Sequence, residues 1–151
     1  MKRIGLLDAL VIVLMGCAVM EPESDTGVVE GRFKPCPPYP RCASTQSRNS
    51  SQFIEPLSFN GDPAVIMERV RKVMNGMERG RLIEAHENYL HFEFRTRLLR
   101  FVDDVETYTD PANKKVHFRS SSRMGYYDFK TNRHRIEEIK RRILEQIRIE
   151  K

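Results

Sequence analysis

A strict alternation of apolar and polar residues constrains the fold of this chain most. Over residues 89–95, Y-L-H-F-E-F-R, every second side chain is apolar. Because successive side chains of a β-strand point to opposite faces of the sheet, this pattern predicts a strand with one buried face. A second β-prone run over residues 81–87 meets it at Glu87-Asn88, which predicts a β-hairpin.

Two segments with helical periodicity lie on either side of this hairpin in the sequence. Asp62 is a typical N-cap and Pro63 suits the first helical position, and apolar residues recur at helical spacing until Gly76. We therefore predict a first helix over about residues 63–75. Asn132 is a typical N-cap for a last helix with an isoleucine-rich stripe. Both helices can cover the apolar face of the sheet.

Two further strands are predicted between the hairpin and the last helix. They span residues 105–109 and 115–121, and D-P-A-N at residues 110–113 forms the turn between them. Residues 97–103 are predicted as a connecting loop, and residues 43–59 as extended coil or an irregular strand. The sum is an α+β fold: a single domain with an about four-stranded, mostly antiparallel sheet, a helix before it and a long C-terminal helix.

The N-terminus has the pattern of an export signal. Residues 1–16 begin with two basic residues and continue with an apolar run to Met15, which only Asp8 interrupts. A run of about twelve apolar residues is too short to span a bilayer as a mature helix, so we predict a secretory signal peptide. The sequence L-M-G-C resembles the lipobox of bacterial lipoproteins, which implies that Cys17 becomes the lipidated N-terminus. A plain signal peptide cut elsewhere and an uncleaved membrane anchor remain as alternatives.

The mature chain divides into a tether and one domain. Residues 17–34 are predicted to be a lipid-anchored acidic tether, and residues 35–151 a single domain, because a chain of 151 residues is too short for two well-packed cores. By the lipobox resemblance, Ala18 favours the outer membrane, facing the periplasm, if the source is Gram-negative. Residues 18–31 hold four acids and no Lys or Arg, so the basic charge lies in the domain. That charge either attracts an anionic membrane or only confers solubility.

Two cysteines flank a proline-rich segment, C-P-P-Y-P-R-C, within the domain. With Cys17 consumed by lipid, Cys36 and Cys42 remain as an even pair in an exported protein, which predicts a disulfide. Two thiols six residues apart with no nearby histidine offer too few ligands for a metal ion, so no metal site is predicted.

The most distinctive polar segment spans residues 119–135 and carries four arginines and a lysine against one carboxylate. A strand, a turn and a helix N-terminus would converge here and surround a phosphate, a carboxylate or a lipid headgroup. Alternatively, the arginines pair with acids and fasten the last helix to the sheet. The candidate residues for either role are Arg119, Ser120, Ser122, Arg123, Gly125, Asp128, Asn132, Arg133, Arg135, Asp103 and Asp104.

Enzymatic and nucleic-acid functions find little support. Asp103 and Asp104 are neighbours in an extended segment, so their side chains would point to opposite faces and not share a substrate. The sequence contains no Gly-rich phosphate loop, G-x-S-x-G or H-E-x-x-H. Glutamates interrupt the arginines of the last helix, and an exported protein rarely meets nucleic acid. We predict no catalytic residues, no cofactor and no nucleic-acid partner.

Three blocks occur in order along the chain: P-C-P-P-Y-P-R-C-A-S, F-V-D-D-V-E and F-R-S-S-S-R-M-G-Y-Y-D-F-K-T-N-R-H-R-I-E. Together they resemble the domain-of-unknown-function family 1499, a bacterial and plastid group that is often exported or membrane-associated. The resemblance spans about residues 35–147. It implies a shared architecture and no particular activity.

These observations lead to two functional expectations. The first is a membrane-tethered cell-envelope lipoprotein that acts as a non-enzymatic structural or interaction module, with an envelope protein as a partner. The second is a binding protein for a small anionic ligand at residues 119–135. The side chains that contact the arginines distinguish the two.

Overall fold

The computed structural model describes residues 24–98 and 100–149. The predicted signal peptide and Cys17 lie outside the described residues. The described part is an α+β fold with two helices and eight strands. The helices are α1 (Pro63–Asn75) and α2 (Thr131–Ile149), and the strands are β1 (Val28–Val29), β2 (Arg32–Phe33), β3 (Cys42–Ser44), β4 (Leu57–Ser58), β5 (Gly80–His86), β6 (Tyr89–Arg95), β7 (Val102–Asp110) and β8 (Lys115–Ser122).

Six of the strands form one antiparallel sheet in the order β3-β8-β7-β6-β5, in which β4 also pairs with β8. The α+β class is therefore confirmed, and the predicted number of about four strands is corrected to six. The two additional strands, β3 and β4, contain three and two residues. Strands this short carry no alternating pattern of their own, and pairing with β8 creates them.

The predicted ends of α1 are confirmed, whereas the predicted starts of α2 and β7 are wrong. Asp62 Oδ1 accepts a hydrogen bond from Ala64 N at 2.8 Å, and α1 ends before Gly76, as predicted. The helix α2 begins one residue before Asn132, which therefore lies in its first turn and not at the N-cap. Strand β7 begins at Val102, so the block F-V-D-D-V-E lies in a strand except for Phe101, and the predicted loop over residues 97–103 is too long.

The hydrophobic core lies between the sheet and the two helices. Phe92, Val105 and Phe118 project from three neighbouring strands, and Val70 and Ile139 from α1 and α2; all five are completely buried. This is the buried face that the alternation in β6 predicts. The opposite face of the sheet carries the polar side chains of the same strands.

A small hairpin, β1–β2, covers part of that polar face, although residues 24–34 fall within the predicted tether. Its backbone is tied to the domain, since Gln46 donates to Gly31 O at 2.8 Å and accepts from Phe33 N at 2.9 Å. Gly31 has a φ of 74°, and a Cβ there would lie 3.3 Å from Tyr108 Oη. The positive φ favours glycine at this point, and a Cβ would press against the Tyr108 hydroxyl.

No helix among residues 24–98 and 100–149 combines the length and the apolar character that crossing a bilayer requires. The expected disulfide joins Cys36 to Cys42, with 5.7 Å between the two Cα atoms. It closes the proline-rich loop that leads from the hairpin into β3.

Removal of this disulfide should lower the stability of the domain moderately, without unfolding it. The bond closes a loop with a sequence separation of only six residues, and for so short a loop the chain-entropy model gives about 2 kcal/mol. We expect the C36S/C42S variant to unfold in urea with a free energy lower by about that amount. Reductant should lower the stability of the wild-type chain equally and leave the variant unchanged. A loss above about 4 kcal/mol would mean that the bond is a principal support of the fold.

Candidate functional site

The polar face of the sheet carries a buried group of charged residues. Strand register places Glu93 opposite Asp104 in one row, and His91, Glu106 and Arg119 together in the next. Residues paired across antiparallel strands share a face, so these side chains are neighbours. Glu106 is 0% exposed and Arg119 is 2% exposed. We call the following residues the polar cluster: His91, Glu93, Asp104, Glu106, Arg119 and Arg123.

Arg123 follows the last residue of β8 and turns back over the cluster. Its Nε and Nη2 donate to Asp104 Oδ2 and Oδ1 at 2.8 and 2.7 Å, and Nη2 also donates to Glu93 Oε1 at 2.6 Å. His91 Nε2 lies 2.7 Å from Asp104 Oδ1. The two hydrogen bonds from Arg123 to Asp104 form a bidentate pair, the strongest geometry that a guanidinium and a carboxylate can adopt.

Charge is retained on both partners of this contact. Burial by itself would raise the pKa of Asp104, but the hydrogen bonds from Arg123 and His91 outweigh it, and the pKa lies below its ordinary value. The hydrogen bond to Asp104 in turn raises the pKa of Arg123. The pair is therefore ionised across the physiological pH range.

Glu106 connects three elements of the fold. Arg119 Nη1 donates to its Oε2 at 2.7 Å, while Tyr89 Oη and Gly27 N donate to its Oε1 at 2.9 and 2.6 Å. Burial and the nearby Glu106 raise the pKa of Tyr89, so the phenol keeps its proton and acts as a donor. The contact with Gly27 attaches the N-terminal hairpin segment to the centre of the sheet.

The predicted site residues do not converge on one spot, because neighbouring residues of β7 and β8 face opposite sides of the sheet. Asp103 faces α2 and accepts from Arg135 Nη2 at 2.7 Å. Asn132 Nδ2 donates to Ser122 Oγ at 2.9 Å, and its Oδ1 bonds the Ser120 hydroxyl. These residues fasten α2 to the sheet, on the face away from Arg119, Arg123 and Asp104.

Three other predicted residues have separate roles. Asp128 caps α2, since its carboxylate accepts from Lys130 N at 2.9 Å and from Asn132 N at 3.1 Å. Arg133 Nη2 donates to the backbone carbonyl of Phe53 at 2.7 Å. Gly125 has a φ of 88° in the loop between β8 and α2, a conformation that suits glycine.

His91, Glu93, Glu106 and Arg41 were not among the predicted site residues. The alternation in β6 places the first two on the non-core face, and Glu106 lies in the block F-V-D-D-V-E, so a pattern did point to these three. Arg41 joins them only through the pairing of β3 with β8, which no local pattern reveals.

A cavity of about 210 Å³ lies between the polar cluster and the chain that leads into β3. The Nε atoms of Arg41 and Arg119 are buried and have no hydrogen-bond partner within residues 24–98 and 100–149. A buried donor without an acceptor costs about 1–3 kcal/mol, and both arginines line this cavity. Its lining consists of Asp25, Pro35, Pro37, Arg41, Asp104, Arg119, Ser121, Ser122 and Arg123.

The described residues form no metal-binding site. Nowhere in residues 24–98 and 100–149 do three or more His, Cys, Asp or Glu side chains take up an arrangement that could hold a metal ion. The chemistry that the polar cluster can provide is ionic pairing and hydrogen-bond donation.

Comparison with known proteins gives one match. The model of a family described as "Protein of unknown function (DUF1499)" matches residues 32–143. Neither the curated proteins nor the solved structures contain a match to the chain. The matched span includes the polar cluster, all of the cavity lining except Asp25, and most of α2.

Replacement of Arg123 by alanine should destabilise the fold strongly. It leaves Asp104 and Glu93 buried without their principal cation, and loss of one partner of a buried pair costs about 3–5 kcal/mol. Urea unfolding followed by circular dichroism measures the loss. The double variant R123A/D104N should recover part of it, because one uncompensated charge is removed.

The matched control is Arg71→Ala, which breaks an exposed pair with Glu68 on α1. Its expected cost is below about 0.5 kcal/mol. Equal losses in R123A and R71A would contradict a structural role for the polar cluster.

Proposed function

The chain belongs to the DUF1499 family, and we propose that it is a membrane-tethered lipoprotein of the cell envelope that acts as a structural or interaction module. One observation carries this proposal: the arginines of the polar segment are paired within the fold. Arg123 pairs with Asp104 and Glu93, and Arg135 pairs with Asp103. Arg123 and Arg135 therefore hold the loop after β8 and α2 against the sheet, which is a structural role.

The export half of the proposal is supported by the sequence of residues 1–17. Its basic start, its apolar run and the small residue before Cys17 are the features on which lipoprotein processing depends. The pair Cys36–Cys42 adds weight, because disulfides persist in oxidising compartments outside the cytosol. An envelope protein is the partner class that this location favours.

Lipidation can be tested by expressing the full chain in a bacterial host and measuring the intact mass from the membrane fraction. We expect loss of residues 1–16 and addition of a diacylglyceryl group, with further acylation, at Cys17. The Cys17→Ser variant should lack the lipid mass, whereas C36S/C42S should keep it. A wild-type chain that is cleaved elsewhere and carries no lipid would contradict the proposal.

A second candidate function, the binding of a small anion, is favoured by the two unpartnered guanidinium nitrogens. Arg41 and Arg119 leave Nε without an acceptor in the described ranges, and both line the cavity with Arg123 and two serines. Three arginines and only two aspartates face this space. At about 210 Å³ it suits a phosphate-sized or small carboxylate ligand rather than a drug-sized molecule.

Anion binding can be tested by thermal melting in inorganic phosphate and in acetate at constant ionic strength. At a hundredfold excess over Kd, a bound anion stabilises the fold by about 2.7 kcal/mol, which corresponds to several degrees in Tm. We expect the shift in the wild type and its loss in Arg41→Gln. The control Arg71→Gln removes an exposed arginine of α1 and should keep the shift. The same response in all three chains would exclude this cavity as the site.

A further inference from the structure

Large apolar side chains are concentrated at one end of the sheet, where β6 leads into β7 and β8 leads into α2. Leu98 is 89% exposed, Phe129 81% and Tyr126 70%. The two connections lie side by side, because they line a common apolar groove of about 230 Å³. Clustered exposure of this kind marks an interaction surface. We call the following residues the docking patch: Leu98, Phe101, Met124, Tyr126, Tyr127 and Phe129.

The backbone holds these side chains outward. Phe129 and Lys130 adopt φ angles of 53° and 63°, a conformation that non-glycine residues rarely take. Asp128 fixes it by accepting from Lys130 N and from the first turn of α2. The ring of Tyr127 packs edge-on against Phe129, with 5.0 Å between the ring centroids. The patch is therefore displayed by a fixed loop.

The surroundings of the docking patch are basic. Arg97, Arg100 and Lys130 are exposed, and none of them forms an ion pair with another residue of the described ranges. The nearby acids are engaged elsewhere, since Asp103 is paired with Arg135 and Asp128 caps α2. This combination matches the interface of an anionic bilayer. Aromatic and aliphatic side chains bury at headgroup depth, and Arg and Lys side chains bind the lipid phosphates.

Residues 27 to 25, followed towards the N-terminus, run to the same end of the sheet as the docking patch. Gly27 is bound at Glu106, and two residues earlier Asp25 lines the cavity with Arg123, the residue that precedes Met124. Going towards the N-terminus, the chain thus approaches the docking patch. Seven residues separate Cys17 from Asp25, and the eight steps from one Cα to the other span at most about 29 Å even when fully extended.

We propose that the docking patch inserts into the headgroup region of an anionic membrane and orients the domain on the bilayer. The proximity argument rests on the lipid anchor of the proposed function, whereas the chemistry of the patch does not depend on it. A second copy of the chain and a protein partner are the competing occupants.

Tryptophan fluorescence provides a direct test, because the chain contains no Trp. Phe129→Trp places the only indole in the docking patch, and Val65→Trp places it on an exposed position of α1 as the matched control. The full-length chains are mixed with vesicles of brominated phosphatidylcholine and about 30% phosphatidylglycerol, an anionic surface. We expect emission of Phe129→Trp to fall at least about twofold and to shift to the blue, because side chains at this depth lie among the lipids. Val65→Trp should not change.

The outcomes separate this inference from the lipid anchor. A Phe129→Trp chain that floats with the vesicles and is not quenched overturns the inference and leaves the anchor in place. In a Cys17→Ser background, quenching of Phe129→Trp without quenching of Val65→Trp supports the inference even if the lipid anchor fails. A blue shift that grows with protein concentration and needs no vesicles shows that a second copy covers the patch, and overturns membrane docking.

The role of the basic residues beside the docking patch is tested by titrating the Cys17→Ser, Phe129→Trp chain with the same vesicles. Each basic side chain near an anionic surface contributes roughly fivefold to partitioning, so R97Q/R100Q should raise the lipid concentration for half-maximal quenching about twenty-five-fold. The control R71Q/K72Q removes two exposed cations from α1 and should leave the titration unchanged. Equal effects of both pairs would overturn the assigned orientation.

Discussion

The contacts of strand β7 hold both layers of this protein to the sheet. On one face, Asp103 accepts from Arg135 of α2; on the other, Asp104 and Glu106 accept from Arg123 and Arg119. A buried ion pair rarely stabilises a protein more than well-packed apolar residues would, but it permits only one arrangement of its partners. The pairs with Arg135 and Arg123 therefore hold α2 and the loop after β8 in place against the sheet.

A sheet with a charged and buried second face needs a polar cover, and the chain before β3 provides it. Gly27 donates its backbone N–H to Glu106, and the segment between the hairpin and the Cys36–Cys42 disulfide passes over the arginines. Backbone amides can satisfy carboxylates that apolar side chains could not. The polar cluster and its cover thus depend on each other.

An element of this fold could be predicted from the sequence when the pattern that determines it lies within the element itself. The helix α1 and the strands β5 to β8 have their own periodicity, so their existence was predictable, and Asp62 and Gly76 fixed the ends of α1. The short strands β3 and β4 exist only through β8. The arginines were recognised as a group, but the alternation of residues 119–122 already implied that Ser120 and Ser122 face the other side of the sheet from Arg119. The contribution of Arg41 depends on a strand pairing that is distant in sequence.

The hairpin β1–β2 has a mechanical consequence. It has only two residue pairs, Val28 with Phe33 and Val29 with Arg32, and it lies between the N-terminus and the sheet. Any force transmitted from a membrane anchor acts first on this short ladder and on the bond from Gly27 to Glu106. The hairpin would peel away before the strands of the large sheet carry load, and each released residue adds about 3.3 Å of reach. With the membrane anchor that we propose, the protein could thus lengthen its attachment under tension while its core stays folded.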